Sequence, residues 1–167
     1  IAEEAQFRGH ELFYYTPDKL AFEEGHVTAK GHRVELRREL GNHVTLQPEE
    51  KIDLANWDVV WLRQDPPFDM GYLFATLLLS RVKGPVMVND PQALRDANEK
   101  LFALEFADLC PATLVSRSME QLLAFRAELG GEMIVKPLDG AGGSGIFYIA
   151  PDDRNARVIL ETGTAHG

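Results

Sequence analysis

The stretch Ile134–Phe147, IVKPLDGAGGSGIF, decides how this chain is read. A short apolar run ends in one lysine, Lys136. A loop follows with glycine at 140, 142, 143 and 145, and a second apolar run begins at Ile146. Glycine lets the backbone take positive φ and approach a ligand closely, so that successive N–H groups converge on an anion. A lysine at the strand end adds a full positive charge. The combination points to a phosphate clamp, most simply for ATP. The plain alternative is a glycine-rich hairpin loop with no ligand.

Two familiar nucleotide motifs are excluded. In Gly-x-x-x-x-Gly-Lys-Ser/Thr the lysine closes the loop, whereas here it precedes the glycines. The letters Gly140-Ala141-Gly142-Gly143-Ser144-Gly145 match G-x-G-x-x-G, but that fingerprint opens a helix and needs an acid about 20 residues further on. The next residues, IFYIA, are β-branched and aromatic and predict a strand. The loop therefore reads as a flap between two strands.

Working outward, Lys100 lies in LRDANEKLFALEFADL, where Leu94, Leu101, Phe102, Leu104 and Phe106 recur at helical spacing. Asn98 predicts a helix cap, which puts Lys100 in the first turn, where the helix dipole disfavours a cation. A lysine held there is either a surface lysine or one placed to meet an anion.

Three segments, RQDPPFD at 63–69, VNDPQALRDANEKLF at 88–102 and KPLDGAGGSGIF at 136–147, together resemble bacterial glutathione synthetase of the ATP-grasp superfamily. The likeness runs from Ile1 to the closing ETGTAHG. It implies an α/β fold: a pre-ATP-grasp domain with a Rossmann-like parallel sheet over residues 1–97, then the first part of an ATP-grasp domain over residues 98–167. It also implies that the first strand and the C-terminal half are missing, so that the chain by itself would not complete the reaction. On this likeness Lys100 and Lys136 are the lysines that contact ATP phosphates. Gly140, Gly142, Gly143, Ser144 and Gly145 form the small loop over the triphosphate. Arg63 and Asp65 face the peptide substrate, with Asn89 grouped beside them.

The reaction so implied is ATP-dependent ligation of γ-glutamylcysteine and glycine through an acyl phosphate. Mg²⁺ (or Mn²⁺) bridges the phosphates, with its ligands expected beyond Gly167. The family forms homo-oligomers. Phosphoryl transfer asks a protein for positioning and charge neutralisation more than for covalent chemistry, and two lysines with backbone donors suit that task. Two other readings stay open: an ATP-grasp carboxylate–amine ligase with different substrates, and a non-catalytic module.

Composition fits a soluble, cytoplasmic chain. Of its 167 residues 45% are apolar, enough for a core, and no run approaches the 18 or so residues of a membrane span. The net charge of −9 argues against nucleic acid. Acid pairs at 3–4, 23–24 and 49–50 read as solvated faces, and the five histidines lack metal-ligand spacing. The lone Cys110, between Leu109 and Pro111, reads as a buried structural thiol.

The remaining elements follow from pattern. Residues 1–11 read as a helix tail, 11–16 as a strand, and LAFEE and HRVELRR, which flank Gly25 and Gly31, as the arms of a hairpin. The polar residues 41–52 read as a surface loop. DVVWLR at 58–63, GYLFATLLLSRV and PVMVN at 85–89 make a βαβ unit whose strands read as buried. Ligand-facing loops lie at the carboxyl ends of such strands, which includes 63–69 and 89–91. Arg63 either reads a ligand there or pairs with Asp65 or Asp69. A domain boundary is expected near 96–99. Beyond it come a helix to Asp108, a strand at 112–116, a helix from Ser118 to Leu129 with a Ser118/Gln121 capping box, and the strand EMIVKP.

Overall fold

The residues that read as a helix tail form α1, Ala2–Phe7. The strand expected at 11–16 shrinks to Phe13–Tyr14 (β1). Leu20–Glu23 (β2) and His26–Leu36 (β3) then form an antiparallel hairpin whose turn residues, Glu24 and Gly25, have φ of 50° and 90°. Two successive positive φ values supply the twist of a two-residue hairpin turn. Gly31, expected between the two arms, is not part of the turn. It lies inside β3, where β1 runs so close that a Cβ would overlap the Tyr14 carbonyl oxygen.

Residues 41–52 are not the surface loop their polarity predicts. Val44–Leu46 (β4) and Glu50–Asp53 (β5) both pair antiparallel with β3, which becomes the spine of a five-stranded sheet. Polarity misleads here because the charges pair across strands. Arg33 Nε donates to Glu50 Oε1 at 2.6 Å, and Lys51 reaches Glu23.

The βαβ unit forms as expected. Val59–Trp61 (β6) and Val86–Val88 (β7) pair in parallel, with Met70–Leu79 (α2) between them in sequence. Asp69 starts α2, its Oδ1 accepting from Tyr72 N–H at 2.8 Å. Tyr72, Ala75, Thr76 and Leu79 make the buried helical stripe. The core of this unit gathers Val27, Ala29, Leu54, Val60 and Leu79. Val59, Trp61, Val86 and Val88 remain exposed, so β6 is not buried on both faces as its apolar run predicts. Burial on both faces needs a covering layer on each side, and here one face is left open. Pro91–Asp96 (α3), capped by Asp90, follows.

The structure, a computed structural model describing residues 1–164, divides into two compact units, Ile1–Asp96 and Ala97–Gly167. The end of the family likeness at 165–167, His166 included, lies outside the described residues. Early in the second unit, the helix expected to reach Asp108 forms as 3-10 turns over Phe102–Leu109, broken at Phe106 with φ −118° and ψ 46°. Leu101, Phe102, Leu104, Phe106 and Leu109 all stay exposed. Packing supplies most of a helix's stability, and these residues lack it. The strand expected at 112–116 does not form, and the segment has no ladder partner among the described residues.

Met119–Glu128 (α4) begins at Ser118, whose Oγ accepts from Gln121 N–H at 3.4 Å. The capping box closes halfway, because the Gln121 side chain bonds Ser116 Oγ instead of the Ser118 backbone. Gly130 and Gly131 end the helix, donating to Ala127 O at 3.1 Å and Arg126 O at 2.8 Å, the paired bonds of a Schellman motif. Met133–Val135 (β8) and Phe147–Ile149 (β9) pair antiparallel. A helix that the sequence reading missed, Ala156–Thr164 (α5), packs Ala156 and Leu160 against Leu122 and Ile149. Among the described residues no helix is long and apolar enough to cross a membrane.

Candidate functional site

Val135 pairs directly with Phe147, so residues 136–146 are thrown out from one end of the β8–β9 hairpin. Lys136 is the first residue of that excursion. It is exposed, and its ammonium has no hydrogen bond or ion pair among the described residues. Gly142, Gly143 and Gly145 take φ of 59°, 83° and 71°, values that other residues rarely adopt. Gly140 is required for a different reason. A Cβ there would stand 2.7 Å from Pro137 Cγ and 2.8 Å from the Ser144 carbonyl oxygen. Ser144 N–H closes a turn on Ala141 O at 3.0 Å.

Lys100 comes to this loop from a distant part of the sequence. Its Nζ donates to Gly140 O at 2.5 Å and meets Glu99 Oε1 at 2.7 Å. Its side chain is 17% exposed, so the ammonium is held against the loop. The backbone under it is fixed by Asn98, whose Oδ1 accepts from the N–H groups of Lys100 and Leu101 at 3.0 and 3.1 Å. The expected capping bonds form on a single turn, but the helix they were to open does not: the 3-10 segment begins at Phe102, after Leu101, with no side-chain cap of its own. The structure thus brings Lys100, Lys136 and the four glycines to one loop. Asn98 belongs with them. Sequence reading saw its capping oxygen but not its amide, which donates to Leu138 O at 3.2 Å.

Arg63 and Asp65 lie in the first unit, past the carboxyl end of β6. They line a cavity of about 330 Å³ with Phe13, Tyr15, Trp61 and Tyr72. Neither acid named as a partner for Arg63 pairs with it among the described residues, since Asp69 is occupied in capping α2. Burial pushes the Tyr15 hydroxyl up to about 12 and shifts Tyr72 upward as well, so both phenols stay neutral at ordinary pH. Asn89 is exposed at the end of β7 and is not part of the cavity wall. The aromatic wall was not legible beforehand, because it is assembled from β1, the end of β6 and α2.

Among the described residues no three His, Cys, Asp or Glu side chains gather as metal ligands. Cys110 is half-buried, its Sγ–H directed at Ala103 O at 3.2 Å.

Comparison with known proteins bears on both units. A family model described as prokaryotic glutathione synthetase, N-terminal domain, matches residues 1–95, and one described as prokaryotic glutathione synthetase, ATP-grasp domain, matches residues 99–167. A glutathione synthetase of Agrobacterium fabrum is 46% identical over 162 residues, covering 96% of this chain and 50% of the relative. One of Mesorhizobium japonicum is 48% identical over 162 residues, covering 96% and 51%. One of Vibrio parahaemolyticus is 44% identical over 166 residues, covering 98% and 52%. The chain spans about half the length of the curated relatives it matches.

Proposed function

The chain belongs to the prokaryotic glutathione synthetase family, and from that premise we propose that a protein carrying it joins γ-glutamylcysteine to glycine at the expense of ATP. The observation that carries the reading is the meeting of Lys100 with the glycine loop that Lys136 opens. Residues 1–97 serve as the pre-ATP-grasp substrate domain and residues 98–167 as part of the ATP-grasp domain. Lys100 and Lys136 neutralise charge on the transferred phosphate, and the loop of Gly140, Gly142, Gly143, Ser144 and Gly145 covers the triphosphate. Arg63, Asp65 and Asn89 bind the peptide substrate.

In the reaction the cysteinyl carboxylate takes the γ-phosphoryl group of ATP, and the amino group of glycine then displaces phosphate from the acyl phosphate. An acyl phosphate is prone to hydrolysis, so a glycine loop able to close over it keeps water out. Mg²⁺ or Mn²⁺ accompanies ATP as its counter-ion, and no step is assigned to it. The protein works in the cytoplasm as a homo-oligomer.

The test is ADP release by a full-length protein carrying this sequence, with γ-glutamylcysteine present and glycine varied. Glycine-dependent turnover is expected, and Lys136→Met should lower kcat/KM for ATP roughly 100-fold, the usual scale for removing a charge-stabilising group. Turnover with another amine or acid in preference to this pair would overturn the substrate assignment. An unaffected Lys136→Met would overturn the role of the lysine.

A further inference from the structure

We propose that Asn98 is a positioning residue for the phosphate site: it ties the turn carrying Lys100 to the loop that Lys136 opens, and so sets where the two ammonium groups meet a nucleotide's phosphates. The inference rests on the phosphate role proposed for those lysines.

A cap needs only an acceptor, and Ser, Asp and Asn serve about equally well. Asn98 meets that need with Oδ1, which accepts from the N–H groups of Lys100 and Leu101. Its second bond needs a donor: Nδ2 donates to Leu138 O at 3.2 Å, across 40 positions of sequence. The orientation of the amide follows from its partners, two N–H donors on one side and a carbonyl on the other. Leu138 lies midway between Lys136 and Gly140.

Among the described residues two side-chain hydrogen bonds tie this turn to the loop. One is Asn98 to Leu138 O, and the other is Lys100 Nζ to Gly140 O. Phosphate oxygens that take the Lys100 ammonium draw on the second bond. The first does not involve the ammonium and persists. With a nucleotide bound, the amide of Asn98 is then what holds the turn and the loop in register.

The experiment uses a full-length protein carrying this sequence and its Asn98→Ser and Asn98→Asp variants. Serine keeps a neutral cap but is too short to reach Leu138, and aspartate keeps the length and the cap but has no donor. Binding of the ATP analogue AMP-PNP, measured by calorimetry, should weaken roughly five- to tenfold in Asn98→Ser, the scale of one lost hydrogen bond. Tm should be unchanged, and AMP, which lacks the outer phosphates, should bind both proteins alike. AMP-PNP binding equal to the parent's would overturn the proposal. So would a fall in Tm with AMP and AMP-PNP weakened together, which marks a cap and nothing more. If Asn98→Ser does not fold, Asn98→Asp is read by the same criteria. Failure of the unsubstituted protein to bind AMP-PNP would sink the phosphate role of the lysines, and this inference with it.

Discussion

Lys136 and the loop glycines carry their meaning in their local sequence, because a charge at a strand end and a run of residues free to take positive φ are local properties. Tyr15 does not. Its hydroxyl is pushed from 10.0 to about 12 only because the fold buries it. With the folded pKa above the unfolded one, the stability linked to Tyr15 is fully present below about pH 10. It declines as the pH rises toward 12, where the unfolded chain ionises first. At 1.36 kcal/mol per pH unit the loss amounts to at most about 3 kcal/mol. Tyr15→Phe should remove this part of the alkaline decline. Urea midpoints at pH 8 and pH 11 should therefore lie closer together in the variant than in the parent. Equal separation would show that other groups cause the decline. Asn98 was half-legible for a similar reason: a cap is a local signal, whereas the amide's partner lies in another part of the chain.

At the scale of elements, periodicity located α2, α4, β6, β7, β8 and β9 and missed β4 and β5. The latter two strands are recruited by β3, whose length offers edges to pair with, and their charged residues find partners only once paired. Gly31 is where β1 meets this sheet most tightly. Gly31→Ala should cost about 1–3 kcal/mol, as overpacking against backbone cannot be relieved by a rotamer change. Denaturant unfolding measures this, and a loss below 0.5 kcal/mol would mean that β1 moves aside freely. Asp69→Ala, which removes the cap of α2, should cost about 1 kcal/mol in the same assay without changing the hairpin. The helix expected before Asp108 shows the opposite failure. Its apolar spacing is helical, yet without a surface to pack against the segment settles into 3-10 turns.

Over the whole molecule, apolar surface remains open in both units. Val59, Trp61, Val86 and Val88 are exposed on the parallel pair, and Ile134, Phe147 and Tyr148 on the β8–β9 hairpin. Contiguous apolar surface of this kind drives association. The net charge of −9 opposes it through repulsion that salt screens. The 167-residue chain prepared by itself should therefore bind the dye ANS and self-associate more strongly at 0.5 M than at 0.05 M NaCl, as read by light scattering. A monodisperse chain without dye binding at both salt concentrations would mean that these faces are closed in solution.

Local sequence was enough for the βαβ unit and for the loop between two strands with Lys136 at its start, and motif order was enough for the family to which the chain belongs. The first two rest on apolar periodicity, helix caps and glycines between β-branched runs, and the family rests on its likeness over three ordered motifs, at 63–69, 88–102 and 136–147. It took the folded chain to make β3 gather four partners, to set Tyr15 and Tyr72 in a cavity wall with Arg63 and Asp65, and to bring both Lys100 and Asn98 to the glycine loop. These are contacts between residues far apart in the chain. Burial, ladder pairing and the meeting of a donor with its acceptor arise when the chain closes on itself, and no local pattern encodes which partner will arrive.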